Sequence, residues 1–151
     1  MANYLTQFLL TNLALAFYLV GCIWADEVDI FRSWQMLDAA NFRRVQTVHW
    51  RKLPYRVFLP SASALSDSLV LIWYHPASSP AWGIWCNLAC QLASHVLTAL
   101  FWGRWQAKLS HDNADGNGVY LALILNTDWV RTLLISAYGA ILLGSTIQVV
   151  R

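Results

Sequence analysis

Asn87, Gln91, Ser94, His95 and Thr98 recur every three or four residues within WCNLACQLASHVLTALFW, the stretch from Trp85 to Trp102. On a helix that spacing places all five on one face. The stretch is long and apolar enough to cross a bilayer, so its polar face needs something to meet: a pocket, a partner or neighbouring helices. Counting about 1.5 Å of rise per residue, Asn12, Asp67, Asn87, Gln91 and Tyr138 reach the middle of a bundle of such spans. His49, His95, Trp105, Asp128, Trp129 and Arg131 lie nearer one membrane face, and His75 lies at the opposite end.

These residue types suit acid–base chemistry on a flat apolar molecule. An imidazole serves as a base near neutral pH, a guanidinium stabilises developing negative charge, and two indoles can sandwich a ring. His95, His49 and Arg131 are the candidate catalytic residues. Trp105, Trp129, Asn87, Gln91 and Asp67 are the candidate substrate-binding residues, and His95, His49, Trp129 and Arg131 are expected to converge on one pocket. Each also has an ordinary role. The amides can be hydrogen-bond glue between helices, Arg131 can be a membrane anchor paired with Asp128, and most of the nine tryptophans can form an interfacial belt. A carboxylate at mid-membrane costs about 3 kcal/mol even on the lenient insertion scale, so Asp67 is expected to be buried and hydrogen-bonded to Asn87 or Gln91.

The elements that must carry these residues follow from composition. The 151 residues are 58% hydrophobic and 12% charged, against about 25% charged in a soluble domain. The chain reads as a single all-α integral-membrane domain over 1–151, a four-helix transmembrane bundle. Its spans are expected at about 4–24, 57–75, 81–102 and 129–150. Between the first two, WQMLDAANFRRVQTVHWRKL (Trp34 to Leu53) reads as a helix lying at the cytoplasmic interface, with Phe42, Val45 and His49 on one face. GVYLALIL (Gly118 to Leu125) is too short to span alone and is either a re-entrant piece or the early part of the last helix. The basic residues are lopsided. Arg32, Arg43, Arg44, Arg51, Lys52, Arg56, Arg104, Lys108 and Arg131 fall on one side, and Arg151 on the other. The positive-inside rule then makes loops 25–56 and 103–128 cytoplasmic and puts both termini outside.

LVGC (Leu19 to Cys22) resembles a lipoprotein processing box, but no Lys or Arg precedes it. A secretory signal needs a positive start, so a retained helix is expected. Three cysteines in or beside spans do not suggest a disulfide scaffold. Cys86 and Cys90, four apart, either permit close helix packing or grip a soft metal such as copper. A net charge of +2 gives no sign of nucleic acid as a partner, and no phosphate loop, nucleotide fingerprint or HExxH zinc pair occurs.

Two stretches carry a resemblance. TALFWGRWQAKL (Thr98 to Leu109) and DWVRTLL (Asp128 to Leu134) are similar to signatures of the anthrone-oxygenase-like family of small four-helix membrane proteins. The second resembles an Asn-Trp-x-Arg-Thr signature, with Asp128 where the family has Asn and with Trp129, Arg131 and Thr132 matching. The resemblance implies oxidation of an anthrone to an anthraquinone by molecular oxygen without an added cofactor. Fold alone does not dictate such chemistry.

Three functions are therefore in view. One is a membrane oxidoreductase or oxygenase taking a small apolar, aromatic substrate from the lipid bilayer. A second is a non-enzymatic membrane subunit or scaffold binding a partner helix, lipid or pigment. A third is a haem or metal protein using His49 and His95. The cofactor, and the choice between a homo-oligomer and a subunit of a larger membrane complex, stay open at this stage.

Overall fold

A computed structural model describes residues 2–111 and 118–150; Arg151 lies outside them. The described residues form four helical rods and no strand. The first rod is α1 (Ala2–Ala25), a π-turn (Asp26–Ile30) and α2 (Phe31–Trp34). The second is α3 (Ala39–Leu53), a π-turn (Pro54–Phe58) and α4 (Leu59–Trp73). The third is α5 (Ala81–Leu97), a π-turn (Thr98–Trp102) and α6 (Gly103–His111), and the fourth is the single helix α7 (Val119–Val150).

Local chemistry sets the ends of these rods. The Asp38 carboxylate accepts from the Asn41 backbone N–H at 2.9 Å and caps α3, supplying one of the acceptors that the first turn lacks. The same hydrogen bond holds the Asp38 carboxyl below the usual carboxylate range. Tyr74 leaves helical geometry at φ −124°, ψ 64°, and HPASSP (His75 to Pro80) turns the chain before α5.

Three rods are long and apolar enough to cross a membrane: Tyr4–Trp34, Ala81–Leu109 and Val119–Val150. The second rod falls short by that measure, because Arg56, Pro60, Asp67 and four serines between Ser61 and Ser68 dilute it. Of GVYLALIL, Val119 to Leu125 are the first part of α7, and Gly118 precedes it. The 32 residues of α7 extend about 48 Å, well beyond a hydrocarbon layer of about 30 Å.

Two sequence expectations change here. The helix expected to lie at the interface runs into the next one without a break, since Leu53 and Pro54 both keep helical angles. Its buried face is Phe42, Gln46 and Leu53, with His49 half-buried, whereas Val45 is exposed. The i, i+4, i+7, i+11 series buries more of this helix than the i, i+3, i+7 series that includes Val45.

The rods pack in a ring in the order α1, α4, α5, α7, with α7 pressed most closely on α5 and α1. Glycine makes both close contacts possible. A Cβ at Gly83 would stand 2.6 Å from Ser145 Oγ, and one at Gly139 would stand 3.1 Å from Val20 Cγ2. Two separate cores result. One lies between α1, α4, α5 and α7 and includes Leu9, Ala16, Ala64, Ile84 and Leu142. The other, at the end carrying the basic residues, packs Phe31, Trp34, Phe42, Trp102, Leu121 and Ile124. We call these the distal and basic ends.

Candidate functional site

In each π-turn an N–H reaches back five residues: Phe31 to the Asp26 carbonyl, Leu59 to the Pro54 carbonyl and Gly103 to the Thr98 carbonyl. Pro54 has no N–H to donate to an ordinary turn, which favours a widened ladder there. At Gly103 an added Cβ would stand 2.9 Å from Thr98 O, so any side chain there would force that turn to shift. Turns of this kind are frequent at functional sites. All three border one cavity of about 440 Å³.

That cavity has a mostly apolar wall and a few polar groups. The first rod contributes Cys22, Ile23 and Asp26, and the second Val57, Phe58 and Ser61. The third supplies Ser94, His95, Thr98 and Gln106, and α7 supplies Arg131 and Ile135. Among its lining residues Phe58, Ala62 and Ala99 are exposed, so the cavity meets the surroundings between the second and third rods. Small side chains at Ala62 and Ala99 keep that gap open.

His95 is held at both ring nitrogens. Nδ1 lies 2.7 Å from the Gln91 carbonyl oxygen and Nε2 lies 2.9 Å from Ser61 Oγ. A carbonyl only accepts, so in the neutral ring Nδ1 carries the proton and Nε2 accepts from the Ser61 hydroxyl.

Charge is concentrated at the basic end of the cavity. Arg131 pairs with Asp128 at 2.7 Å, and its guanidinium lies 5.4 Å over the Trp102 ring. Arg56 pairs with Asp26 at 3.0 Å, and Arg32 pairs with Glu27 at 3.3 Å. Asp26 and Asp128 are both buried, so two carboxylates and two guanidinium groups offset one another in a place where an unpaired charge would be costly.

Of the candidate catalytic and substrate-binding residues, His95 and Arg131 line this cavity and the other six do not; Ser94 and Thr98 of the polar face line it as well. His49 packs edge-on against Trp34, ring centroids 5.0 Å apart, and against Phe31. Burial, then Arg56 and Arg131, lowers its pKa to about 4. Trp129 is 53% exposed, its indole N–H donating to the Asn126 carbonyl, and Trp105 lies beside Phe101. The two indoles therefore do not sandwich a ring; the indole beneath Arg131 is Trp102, whose N–H donates to Thr127 Oγ1 at 3.0 Å.

The mid-bundle residues form a separate layer. Tyr138 donates to Asn12 Oδ1, Asn12 Nδ2 donates to Ser68 Oγ at 3.0 Å, and Gln91 Nε2 donates to the same oxygen at 2.6 Å. The acceptor on α4 is thus Ser68 and not Asp67, which is only half-buried and has no hydrogen bond to Asn87 or Gln91. Ala64, Ser68 and Leu71 form the buried face of that helix, and Asp67 lies at its edge, about 100° around the helix from Ser68. Asn87 is buried one turn further out, beside Ser79 and Ser145, at a crevice of only about 10 Å³.

Cys22, Cys86 and Cys90 are free thiols, with Cys86 exposed. Among the described residues no group of three or more His, Cys, Asp or Glu could hold a metal ion. Ser61, Asp26, Arg56, Trp102 and Gln106 were not singled out from sequence. For Asp26 a signal was present: Leu19, Cys22, Ile23 and Asp26 follow helical spacing on one face.

In comparisons with family models, curated proteins and solved structures, nothing matches this chain. The family resemblance rests on Thr98 to Leu109 and Asp128 to Leu134 alone.

Proposed function

We propose that this chain is a membrane-embedded oxidoreductase that takes a small apolar, aromatic substrate from the bilayer into the cavity at its basic end. In this reading α4 completes the four spans, α3 stays at the cytoplasmic interface, the basic end faces the cytoplasm and both termini lie outside. The observation that carries the proposal is the cavity of about 440 Å³ that brings His95 and Arg131 together and opens sideways. Its volume falls within the range of small-molecule sites.

His95 acts as the base, and the Arg131–Asp128 pair presents a guanidinium edge to the oxygen of the resulting enolate. A carbanion of this kind can pass electrons to molecular oxygen without a metal. For an anthrone, the methylene loses two hydrogens and gains one oxygen, and the second oxygen atom leaves as water. The resemblance at Thr98 to Leu109 and Asp128 to Leu134 supplies this particular substrate class. The purified protein in detergent, given an anthrone and air, should consume oxygen beyond the uncatalysed rate. His95→Ala should lower that rate about 100-fold or more while the protein stays folded. Oxygen uptake equal to that of protein-free detergent would sink the oxygenase reading.

A second reading is a non-enzymatic membrane subunit, alone as a homo-oligomer or within a larger complex. It is favoured by the mid-bundle layer, where Asn12, Ser68, Gln91 and Tyr138 hydrogen-bond to one another across the helices. Copurification of a stoichiometric partner, with no ligand bound by the isolated chain, would decide for it.

A further inference from the structure

His95 has one basic lone pair, on Nε2, and that lone pair faces the Ser61 hydroxyl at 2.9 Å. Nδ1 is engaged by the Gln91 carbonyl at 2.7 Å. Ser61 and His95 both line the cavity, so the hydroxyl and the imidazole it engages are presented to it together. A hydroxyl hydrogen-bonded to an imidazole whose far nitrogen is held by an acceptor is the arrangement that activates a serine nucleophile. Here a backbone carbonyl stands where a carboxylate holds the histidine in the familiar triads.

We infer that Ser61 is a nucleophile activated by His95, and that the cavity carries an acyl-transfer activity toward small esters with an apolar body. The inference shares His95 with the proposed function but requires neither oxygen nor Arg131. Three further features fit it. Ser61 is next to Ala62 at the opening between the second and third rods, where an ester dissolved in lipid would arrive. The apolar wall, with Ile23, Val57 and Ile135, suits an acyl or aryl group. Ser94 and Thr98, on the same rod as His95, line the cavity; among the described residues neither hydroxyl has a hydrogen-bond partner, so both are available to an oxyanion.

The reaction balances with water as the only co-reactant. Ser61 Oγ bonds to the ester carbonyl carbon while its proton passes to His95 Nε2. The tetrahedral intermediate collapses, the C–O bond to the alcohol breaks, and Nε2 returns the proton to the departing alkoxide. Water then attacks the acyl-serine with His95 again as base, releasing a carboxylic acid and regenerating the hydroxyl.

An alkyl fluorophosphonate, applied to the full chain in detergent and followed by peptide mass mapping, tests this directly. Labelling should fall on Ser61 and not on its exposed neighbours Ser63 and Ser66. His95→Gln should slow it about 100-fold or more in protein that elutes as the wild type does. No labelling of the wild type, labelling spread over several serines, or a rate indifferent to His95→Gln would each overturn the inference. Ser61→Ala separates it from the oxygenase reading. The substitution removes the nucleophile, so ester hydrolysis and labelling at this position should both vanish, an outcome the oxygenase reading does not require. Ester hydrolysis that survives Ser61→Ala would refute the nucleophile and leave the base.

Discussion

The two ends of this bundle use polar residues in opposite ways. In the distal half Asn12, Ser68, Gln91 and Tyr138 come from four different rods and bond to one another, and the crevice beside them holds only about 10 Å³. In the basic half three rods widen into π-turns at one level, and a cavity of about 440 Å³ opens among them. Polar side chains that find each other close a bundle. Polar side chains held apart by widened turns leave room for a ligand.

The largest effect expected from probing this contrast is at Arg131. Arg131→Leu leaves the fully buried Asp128 without its partner and should cost about 3–5 kcal/mol in unfolding experiments in detergent. The double variant Arg131→Leu/Asp128→Leu should recover most of that loss. A single variant as stable as the wild type would mean that the charge cluster does not hold the basic end together.

Gly103→Ala places a methyl group against the Thr98 carbonyl. The π-turn must shift, at a cost of about 1–3 kcal/mol, and any cavity ligand should bind more weakly. Ligand affinity unchanged in this variant would separate the cavity from its widened turns.

The basic half should also lose stability with acid through His49. Its folded-state pKa of about 4 lies below the ordinary value of 6.5, so the unfolded chain binds the extra proton between those values. The contribution is complete above about pH 6.5 and is lost as pH falls toward 4, on the order of 2 kcal/mol after screening. His49→Phe should flatten that part of the stability–pH curve; an unchanged slope would refute the assignment to His49.

The smallest effect is expected in the distal half. Ser68→Ala removes the shared acceptor of Asn12 and Gln91, and hydrogen bonds between membrane helices average about 0.6 kcal/mol. A loss of about 1 kcal/mol with unchanged ligand binding is expected. Loss of binding at equal stability would show that the two halves are coupled.

The layout of rods was legible in the sequence because it depends on additive properties. An apolar run that must bury its backbone polar groups becomes a helix, and three of the four expected spans coincide with rods apolar enough to cross a membrane. The polar face from Asn87 to Thr98 was legible for a similar reason. It lies on one undisturbed helix as far as Leu97, where helical spacing holds.

Facing and register were not legible. Asp67 and Ser68 are neighbours on one helix, and only the packing of α4 against α1 and α5 selects the serine as the inward group. Each π-turn accommodates one extra residue and so shifts the phase of everything after it by about 100°. Counting at 3.6 residues per turn through Thr98 to Trp102 therefore misplaces Trp105 beyond it, which lies beside Phe101 and not on the cavity. By itself the sequence determined which segments are helical, which end is basic, and that His95 lies on a polar face. Only the tertiary structure decided that Ser61 caps His95, that Asp128 neutralises Arg131 and that His49 and Trp129 stay out of the cavity. Hydropathy and spacing add along a chain, whereas facing and register depend on how neighbouring rods fit.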